Sequence, residues 1–258
     1  MTLAAARRAV DRERRVCVAE REAFRSFRTA VARLDGGSDA PVEPSTARGG
    51  RAAVTTARTL GVPAGQPADA SDGCRSVRDA YRRSVLAADH VGDDETLTEH
   101  VAAELGADLA RRVQTGPMTP DLRQALVDRT GVAIRARESF VELLGREADS
   151  VDAVDGTCRR LRSRIDRARS WERAAAGVPL DAAFEAWSEL DRIETHLDEV
   201  ATDRQATLAR HRRSFAVVDD DVTSYLYGCR PGLATIASLG QRVTDGRRAI
   251  ADGVGRAE

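Results

Sequence analysis

Arginine recurs every seven positions near the N-terminus, at Arg7, Arg14, Arg21 and Arg28. Guanidinium groups donate paired hydrogen bonds to phosphate oxygens, so a row of them along one helix edge would suit contact with nucleic acid. Acidic residues lie among these arginines, and opposite charges three or four residues apart also stabilise a solvated helix flank. Two interpretations therefore stay open, a nucleic-acid contact and a solvated flank.

An apolar row runs beside these arginines with the same seven-residue period. Its members are Leu3, Val10, Cys17, Phe24 and Val31. Five uninterrupted heptads predict a long helix with a packing seam, which either folds back on the chain or pairs with another helix. We take the exposed parts of Leu3, Val10, Phe24, Phe27 and Val31 as the candidate partner-binding surface.

The thiol and imidazole side chains do not have the spacing of a metal site. The histidines are His90, His100, His196 and His211, and the cysteines are Cys17, Cys74, Cys158 and Cys229. A zinc site needs about four converging ligands, whereas Cys74, His90 and His100 supply three at unsuitable separations. Without a C-x-x-C pair, the cysteines are interpreted as buried thiols of a reducing compartment.

Two acidic runs, at residues 93–95 and 219–221, have carboxylates that could bind a divalent cation. Neither run has the glycine and spaced oxygens of an EF-hand loop, so a helix cap and a solvated turn are the preferred interpretation. Catalytic triads and phosphate-binding glycine loops are absent from the sequence. We expect no metal, no cofactor and no enzymatic activity. An enzyme site would have to use Tyr225, Tyr227, Cys229 and Arg230, for which core packing and capping are the alternative.

Residues 101–115 partly match a DNA-binding helix-turn-helix. Ala102 and Gly106 have the expected spacing, and the second helix would begin at Asp108. Arg112, however, falls where that helix should bury an apolar side chain, and Gly116 ends the helix early. We interpret the segment as two short packed helices.

The composition favours helices packed through small residues. The 258 residues are 42% hydrophobic but only 4% aromatic, which disfavours a β-sandwich or barrel core. The 40 basic residues, all arginine, and the 41 acidic residues give a net charge of -1, which excludes a polybasic or polyacidic tail. No apolar run of about 18 residues is present to span a membrane, and arginines interrupt any secretory signal, so we expect a cytoplasmic protein.

The pattern along the chain predicts an all-α protein in three parts. Residues 1–35 form a long amphipathic helix, residues 36–72 a flexible linker of small and polar residues, and residues 73–258 a helical domain. Within that domain, apolar residues spaced by three and four predict an antiparallel coiled-coil hairpin over residues 119–212, followed by C-terminal docking helices. The seam of its second helix includes Leu180, Trp187 and Leu190. The apolar pattern of its first helix has one polar interruption, Glu147.

Several signals mark where these helices begin. Thr96-x-x-Glu99 is a capping box, and Thr119 followed by Pro120 supplies an N-cap and a proline in the first helical position. A short Gly-Val-Pro turn at residues 177–179 makes the two long helices antiparallel neighbours.

Three segments carry a resemblance to a known family. They are VRDAYRRSV at 77–85, EHVAAELGADL at 99–109, and SYLY at 224–227 with LATIA at 233–237. With these segments the chain resembles a family of uncharacterised all-helical proteins from halophilic archaea. The resemblance implies the helical fold and the source, and it brings no catalytic residues.

These observations favour a non-catalytic interaction or scaffold protein that acts through coiled-coil seams, with a protein partner or a second copy of itself. A nucleic-acid-associated protein that uses the arginine row is the alternative. The two differ in salt dependence, because binding to phosphates weakens steeply as salt rises and apolar burial does not.

Overall fold

A computed structural model describes residues 1–34, 70–87, 96–170, 179–214 and 222–254 of the chain. Every regular element in these ranges is helical, which confirms the all-α class. The elements are α1 (Leu3–Ala32), α2 (Ala70–Tyr81) with a π-helical turn (Arg82–Leu86), α3 (Leu97–Leu105), α4 (Ala107–Thr115), α5 (Pro120–Ala168), α6 (Leu180–Ser214), α7 (Val222–Tyr227) and α8 (Pro231–Val254). None of these described helices combines the length and apolarity needed to cross a bilayer.

The predicted helix starts are confirmed by their hydrogen bonds. At the start of α3, the backbone N–H of Glu99 donates to Thr96 Oγ1 (3.3 Å), and the Thr96 N–H donates back to Glu99 Oε2 (3.0 Å). The N–H of Leu122 donates to Thr119 Oγ1 (3.1 Å), and α5 begins at Pro120. These side chains satisfy N–H groups that the first helical turn leaves unpaired.

Residues 101–115 form two short helices, α3 and α4, as expected. Gly106 joins them with a φ of 105°, in a region that residues with a Cβ rarely adopt, so the turn requires glycine. Arg112 is exposed on α4, while Val113 beside it is buried.

The chain divides into two compact units. Unit 1 comprises Met1–Cys17 and Ser139–Glu258, and unit 2 comprises Val18–Glu138. Most of the predicted linker lies outside the described residues, and its last three positions belong to α2. The predicted division into helix, linker and helical domain stays a prediction.

In unit 1, α6 runs antiparallel to the C-terminal part of α5. Arg164 contacts Glu189, and Arg204 contacts Glu147, so positions advance along one helix as they retreat along the other. Between them lies an apolar core that α8 and the first turns of α1 complete. It includes Leu161, Ile165, Leu190, Ile193, Leu239 and Val243. The predicted antiparallel hairpin is therefore present, while its coiled-coil geometry stays a prediction.

In unit 2, the core is built around an aromatic group. The ring of Tyr81 meets Phe27 at 4.9 Å and Phe24 at 6.3 Å, both edge to face. Such pairs contribute roughly 0.5–1.5 kcal/mol each beyond the area that they bury. Aliphatic side chains from α2 to α5 surround the rings, among them Val77, Leu105, Leu122 and Leu126. Few aromatic residues are thus enough for this core, because they are concentrated in one place.

Candidate functional site

The candidate partner-binding residues of α1 are buried within the chain's own fold. Leu3 and Val10 are 5% and 0% exposed in unit 1, and Phe24, Phe27 and Val31 are at most 1% exposed in unit 2. The expectation that they present a surface is wrong, because each unit uses its part of the α1 seam for its own core. The seam has therefore taken the first of its two predicted outcomes and folds back on the chain.

The four arginines of the predicted row have different surroundings. In unit 1, Arg7 pairs with Asp11 and with Asp152, the latter at 3.0 Å, while Arg14 is exposed. In unit 2, Arg21 Nη2 lies 2.7 Å from Glu22 Oε1, while Arg28 is exposed. Pairing of the first and third arginines with carboxylates agrees with the solvated-flank interpretation for those two positions.

The histidines and cysteines are dispersed through the fold. His100 Nδ1 lies 2.7 Å from the Tyr81 hydroxyl, and His90 lies outside the described residues. The prediction of buried thiols is confirmed for Cys17, Cys74 and Cys158 and wrong for Cys229, which is exposed in the break between α7 and α8. Burial raises the pKa of the Cys74 and Cys158 thiols.

The acidic runs at residues 93–95 and 219–221 lie outside the described residues. In the part of the chain that the structure describes, no three His, Cys, Asp or Glu side chains converge as metal ligands would. The cluster considered for an enzyme site is not brought together as one group. Tyr225 donates to Glu13 Oε1 (2.7 Å), Arg230 is exposed like Cys229, and Tyr227 turns towards Glu147.

Glu147 is the centre of a buried ionic network in unit 1. Its carboxylate is fully buried, and Arg204, whose side chain is 2% exposed, donates to both of its oxygens at 2.7 and 2.9 Å. The same guanidinium donates to Ser150 Oγ at 2.7 Å. Two parallel hydrogen bonds between a guanidinium and a carboxylate fix both groups in one plane.

Two further side chains complete the network around Glu147. Tyr227 donates its hydroxyl to Glu147 Oε1 at 3.2 Å, and His211 Nδ1 lies 3.2 Å from Oε2, outside hydrogen-bond geometry. Burial alone would raise the pKa of Glu147, but His211 and Arg204 outweigh it, so the pKa lies below its ordinary value. Burial and the Glu147 charge raise the pKa of Tyr227. Near neutral pH the network therefore holds an ionised glutamate beside a protonated phenol.

This network has the features of a structural site that holds helices together. Glu147, Arg204 and His211 are buried, and Glu147 accepts its hydrogen bonds from Arg204 and from the half-buried Tyr227. Because buried charges must stay paired, the network specifies how α5, α6 and α7 fit together within unit 1. The polar interruption at Glu147 signalled this position in the sequence.

A second arginine, Arg137 in unit 2, has two carboxylate partners. Its Nε and Nη2 donate to Glu20 and Glu104, each at 2.8 Å, and its guanidinium carbon lies 4.4 Å from the centre of the Phe24 ring. Burial alone would lower the pKa of Arg137, but the two carboxylates raise it above its ordinary value. All three charged side chains keep some contact with solvent, at 15%, 24% and 25% exposure.

Three large apolar side chains at the start of α6 are exposed. Leu180, Phe184 and Trp187 are 70%, 73% and 42% exposed, and their spacing of four and three places them along one stripe of the helix. We call them the α6 apolar surface. The prediction that Leu180 and Trp187 lie in the hairpin seam is wrong, whereas the prediction for Leu190 is confirmed, because Ala183 and Ala186 pack in the seam beside Leu190.

The polar groups around the α6 apolar surface are mainly acidic. Asp181 and Glu185 are exposed in the same two turns of the helix. At the other end, the Arg247 guanidinium lies 5.7 Å from the Trp187 ring centre and donates to Asp191 and Glu194. That cation helps to hold the indole in place. An apolar stripe with charged groups at its edges resembles the anchor face of a helix that docks into a groove.

Comparisons with known proteins place the chain in a family. A family model described as "Domain of unknown function (DUF7260)" matches residues 1–247, nearly the whole chain. Neither the curated proteins nor the solved structures give a match. The source in halophilic archaea, which the resemblance implies, stays a prediction. By the extent of the match, this all-α chain belongs to the family described as a domain of unknown function, DUF7260.

Proposed function

We propose that this protein is a non-catalytic, cytoplasmic interaction protein that binds a protein partner through the α6 apolar surface. The observation that carries the proposal is the exposure of Leu180, Phe184 and Trp187 along one helical stripe. It replaces the α1 seam as the binding surface, since the side chains of that seam are buried.

Large apolar side chains that stay exposed do not contribute their burial free energy to folding, and a partner that covers them can gain it. Burial of a Leu or Phe side chain contributes about 1.5–3 kcal/mol, and most of that gain is still unrealised for Leu180 and Phe184 in the chain alone. Contiguous apolar groups with a polar rim are typical of interaction sites on soluble proteins. Tryptophan is also among the residues that contribute most to protein interfaces.

The spacing and the rim describe the partner. Anchors at i, i+4 and i+7 fit an apolar groove that receives one face of a helix. Asp181 and Glu185 at the edge favour a groove with basic residues on its rim. A second copy of the chain is a partner of the same chemistry if it presents such a groove.

The test is capture of partners from the native cells at native ionic strength, with a tag on the wild-type chain and on two variants. Phe184→Asp places a charge in the α6 apolar surface, whereas Ala182→Asp places the same charge on an exposed position of α6 that is rotated by about 160° around the helix axis. We expect a defined protein to be captured by the wild type and by Ala182→Asp, and to be lost with Phe184→Asp.

Each preparation is divided into nuclease-treated and untreated halves. Capture that survives nuclease and depends on Phe184 supports the proposal. Equal capture by Phe184→Asp, or capture that disappears with nuclease, contradicts it. The second result would favour the nucleic-acid alternative, for which the exposed Arg14 and Arg28 would be the first residues to substitute. Light scattering on the purified chain identifies self-association by a molar mass that falls in Phe184→Asp.

A further inference from the structure

A cleft of about 440 Å³ lies beside α1 and α5 in unit 2, and three arginines line it. They are Arg25 and Arg28 from α1 and Arg135 from α5. Glu138 is the one carboxylate among the described residues that line this cleft, and Arg25 Nη2 donates to it at 2.5 Å. Arg25 also donates to Glu22 at 2.9 Å, so its charge is already matched.

Arg28 and Arg135 differ from Arg25 in this respect. Among the described residues, no carboxylate forms an ion pair with either of them, whereas Arg25 pairs with Glu22 and Glu138. Most other arginines in the sites described above have such a partner, including Arg7, Arg21, Arg137 and Arg204. Two guanidinium groups left without a counter-charge and held near each other repel, unless an anion lies between them.

Gly131 lines the cleft between Arg28 and Arg135, and distances from this position limit how far apart the two guanidinium groups can lie. A Cβ added there would lie 3.5 Å from Arg135 Nη1 and 3.9 Å from Arg28 Nη2, so these nitrogens are at most about 7.4 Å apart. The same Cβ would meet nothing closer, so packing does not require glycine here. Glycine in a helix interior costs stability, yet at this position it leaves the space between the two guanidinium groups open.

We infer that Arg28 and Arg135 bind the phosphate group of a small anion above Gly131. Two hydrogen bonds of about 2.8 Å and the ~2.5 Å between two phosphate oxygens span up to about 8 Å, which covers the separation of the two nitrogens. The planar guanidinium donates two hydrogen bonds to such a group. This inference is independent of the α6 apolar surface.

The surroundings favour a single phosphate group over a nucleic-acid strand. A strand needs a continuous series of available cations, because its affinity comes from many phosphate contacts. On α1 within unit 2, Arg21 and Arg25 are already paired with Glu22, which leaves Arg28 with Arg135 as an isolated pair.

Equilibrium dialysis of the full chain against labelled inorganic phosphate, at constant ionic strength, tests the inference. We expect saturable binding of one phosphate per chain, with a Kd of the order of 1 mM or lower. Arg28→Gln with Arg135→Gln should weaken binding at least tenfold. Arg12→Gln with Arg15→Gln removes the same charge from exposed positions of α1 and should change the Kd less than twofold. Non-saturable binding, or equal weakening in both double variants, would overturn the inference.

A second variant fills the site from within. Gly131→Glu places a carboxylate between the two guanidinium groups, so we expect it to abolish phosphate binding while the helical circular dichroism and the unfolding midpoint are maintained. Phosphate binding retained by a folded Gly131→Glu would overturn the inference.

Two further ligands identify the source of the phosphate. Glycerol 3-phosphate that competes with inorganic phosphate supports a phosphate ester as the ligand, and its failure to compete while inorganic phosphate binds supports free phosphate. A single-stranded oligonucleotide that binds when inorganic phosphate does not would overturn the inference and favour a strand.

Discussion

Arg204 in unit 1 and Arg137 in unit 2 are both held by carboxylates, but water has access to only one of them. Arg204 and its partner Glu147 are 2% and 0% exposed, and one carboxylate accepts hydrogen bonds from Arg204 and Tyr227 with His211 Nδ1 3.2 Å away. Arg137 is 15% exposed, and two carboxylates share one guanidinium that also stacks on Phe24.

The number of ion pairs at a site is therefore a poor measure of how much they contribute to stability. In a dry site the loss of one partner leaves a charge that nothing compensates, so the penalty is large. In a partly solvated site water replaces the lost partner, so the penalty is small even where two pairs are broken. Removal of one charged partner should therefore cost much more stability in the Glu147 network than in the Arg137 cluster.

The largest effect is expected from Arg204→Met, which fills a similar volume but leaves the buried Glu147 carboxyl without its guanidinium partner. We expect the free energy of unfolding at pH 7 to fall by about 3–5 kcal/mol. Urea unfolding followed by circular dichroism measures it. Arg192→Met, at a side chain that is 71% exposed on the same helix, is the control and should change the free energy by less than about 0.5 kcal/mol. Equal losses in the two variants would contradict the dry-site interpretation.

Removal of both the Glu147 and the Arg204 charge should restore most of the stability that Arg204→Met loses. The double variant Glu147→Leu, Arg204→Met replaces a buried ion pair with apolar side chains, an exchange that is often neutral or stabilising. We expect its free energy of unfolding to lie within about 1–2 kcal/mol of the wild type, measured by the same urea unfolding. If the double variant is less stable than Arg204→Met alone, the penalty does not come from an uncompensated charge.

Arg137→Met in unit 2 should have a smaller effect. The methionine chain keeps contact with the Phe24 ring, while the pairs with Glu20 and Glu104 and the cation–ring contact are lost. We expect a loss of about 1 kcal/mol, which shrinks as salt rises because solvent-accessible pairs are screened. Unfolding at low and at 1 M salt checks this. A loss as large as that of Arg204→Met would remove the distinction between the two clusters.

The smallest expected effect is a change with pH in the stability difference between the wild type and Glu147→Gln. Because the pKa of Glu147 is lowered in the folded chain, the unfolded chain binds the proton more readily, and its ionised form stabilises the fold above the ordinary carboxyl pKa of 4.5. The stability advantage of the wild type over Glu147→Gln should be constant from pH 7 to about 5. It should then shrink as pH falls below 4.5 through the folded pKa. Urea midpoints of both proteins at several pH values measure the difference, and a constant difference down to pH 3 would contradict it.

The sequence was sufficient for the elements that local rules control. Heptad spacing predicted α1, the Thr96 and Thr119 caps predicted the starts of α3 and α5, and the single polar interruption identified Glu147. These features depend on residues only a few positions apart along the chain, which is why spacing reveals them.

The partners across the fold could not be predicted in the same way. Every one of the 40 basic residues is arginine, so nothing in residue type distinguishes Arg204 or Arg137 from the others. Phe184 was missed because the apolar spacing of α6 is satisfied by Leu180 and Trp187, and only the packing shows that alanines occupy the seam there. With small residues at the interface, a neighbouring stripe of larger ones can have the same periodicity and face solvent.

The Glu147 network also has a consequence for the order of folding events. Its members come from α5, α6 and α7, separated by up to 80 positions along the chain, so its hydrogen bonds can form only after those helices have met. An interaction that is absent from the transition state influences how fast the native state is lost and hardly alters how fast it is reached. We therefore predict that the network forms after the folding transition state, so that it slows unfolding and has little effect on the rate of folding.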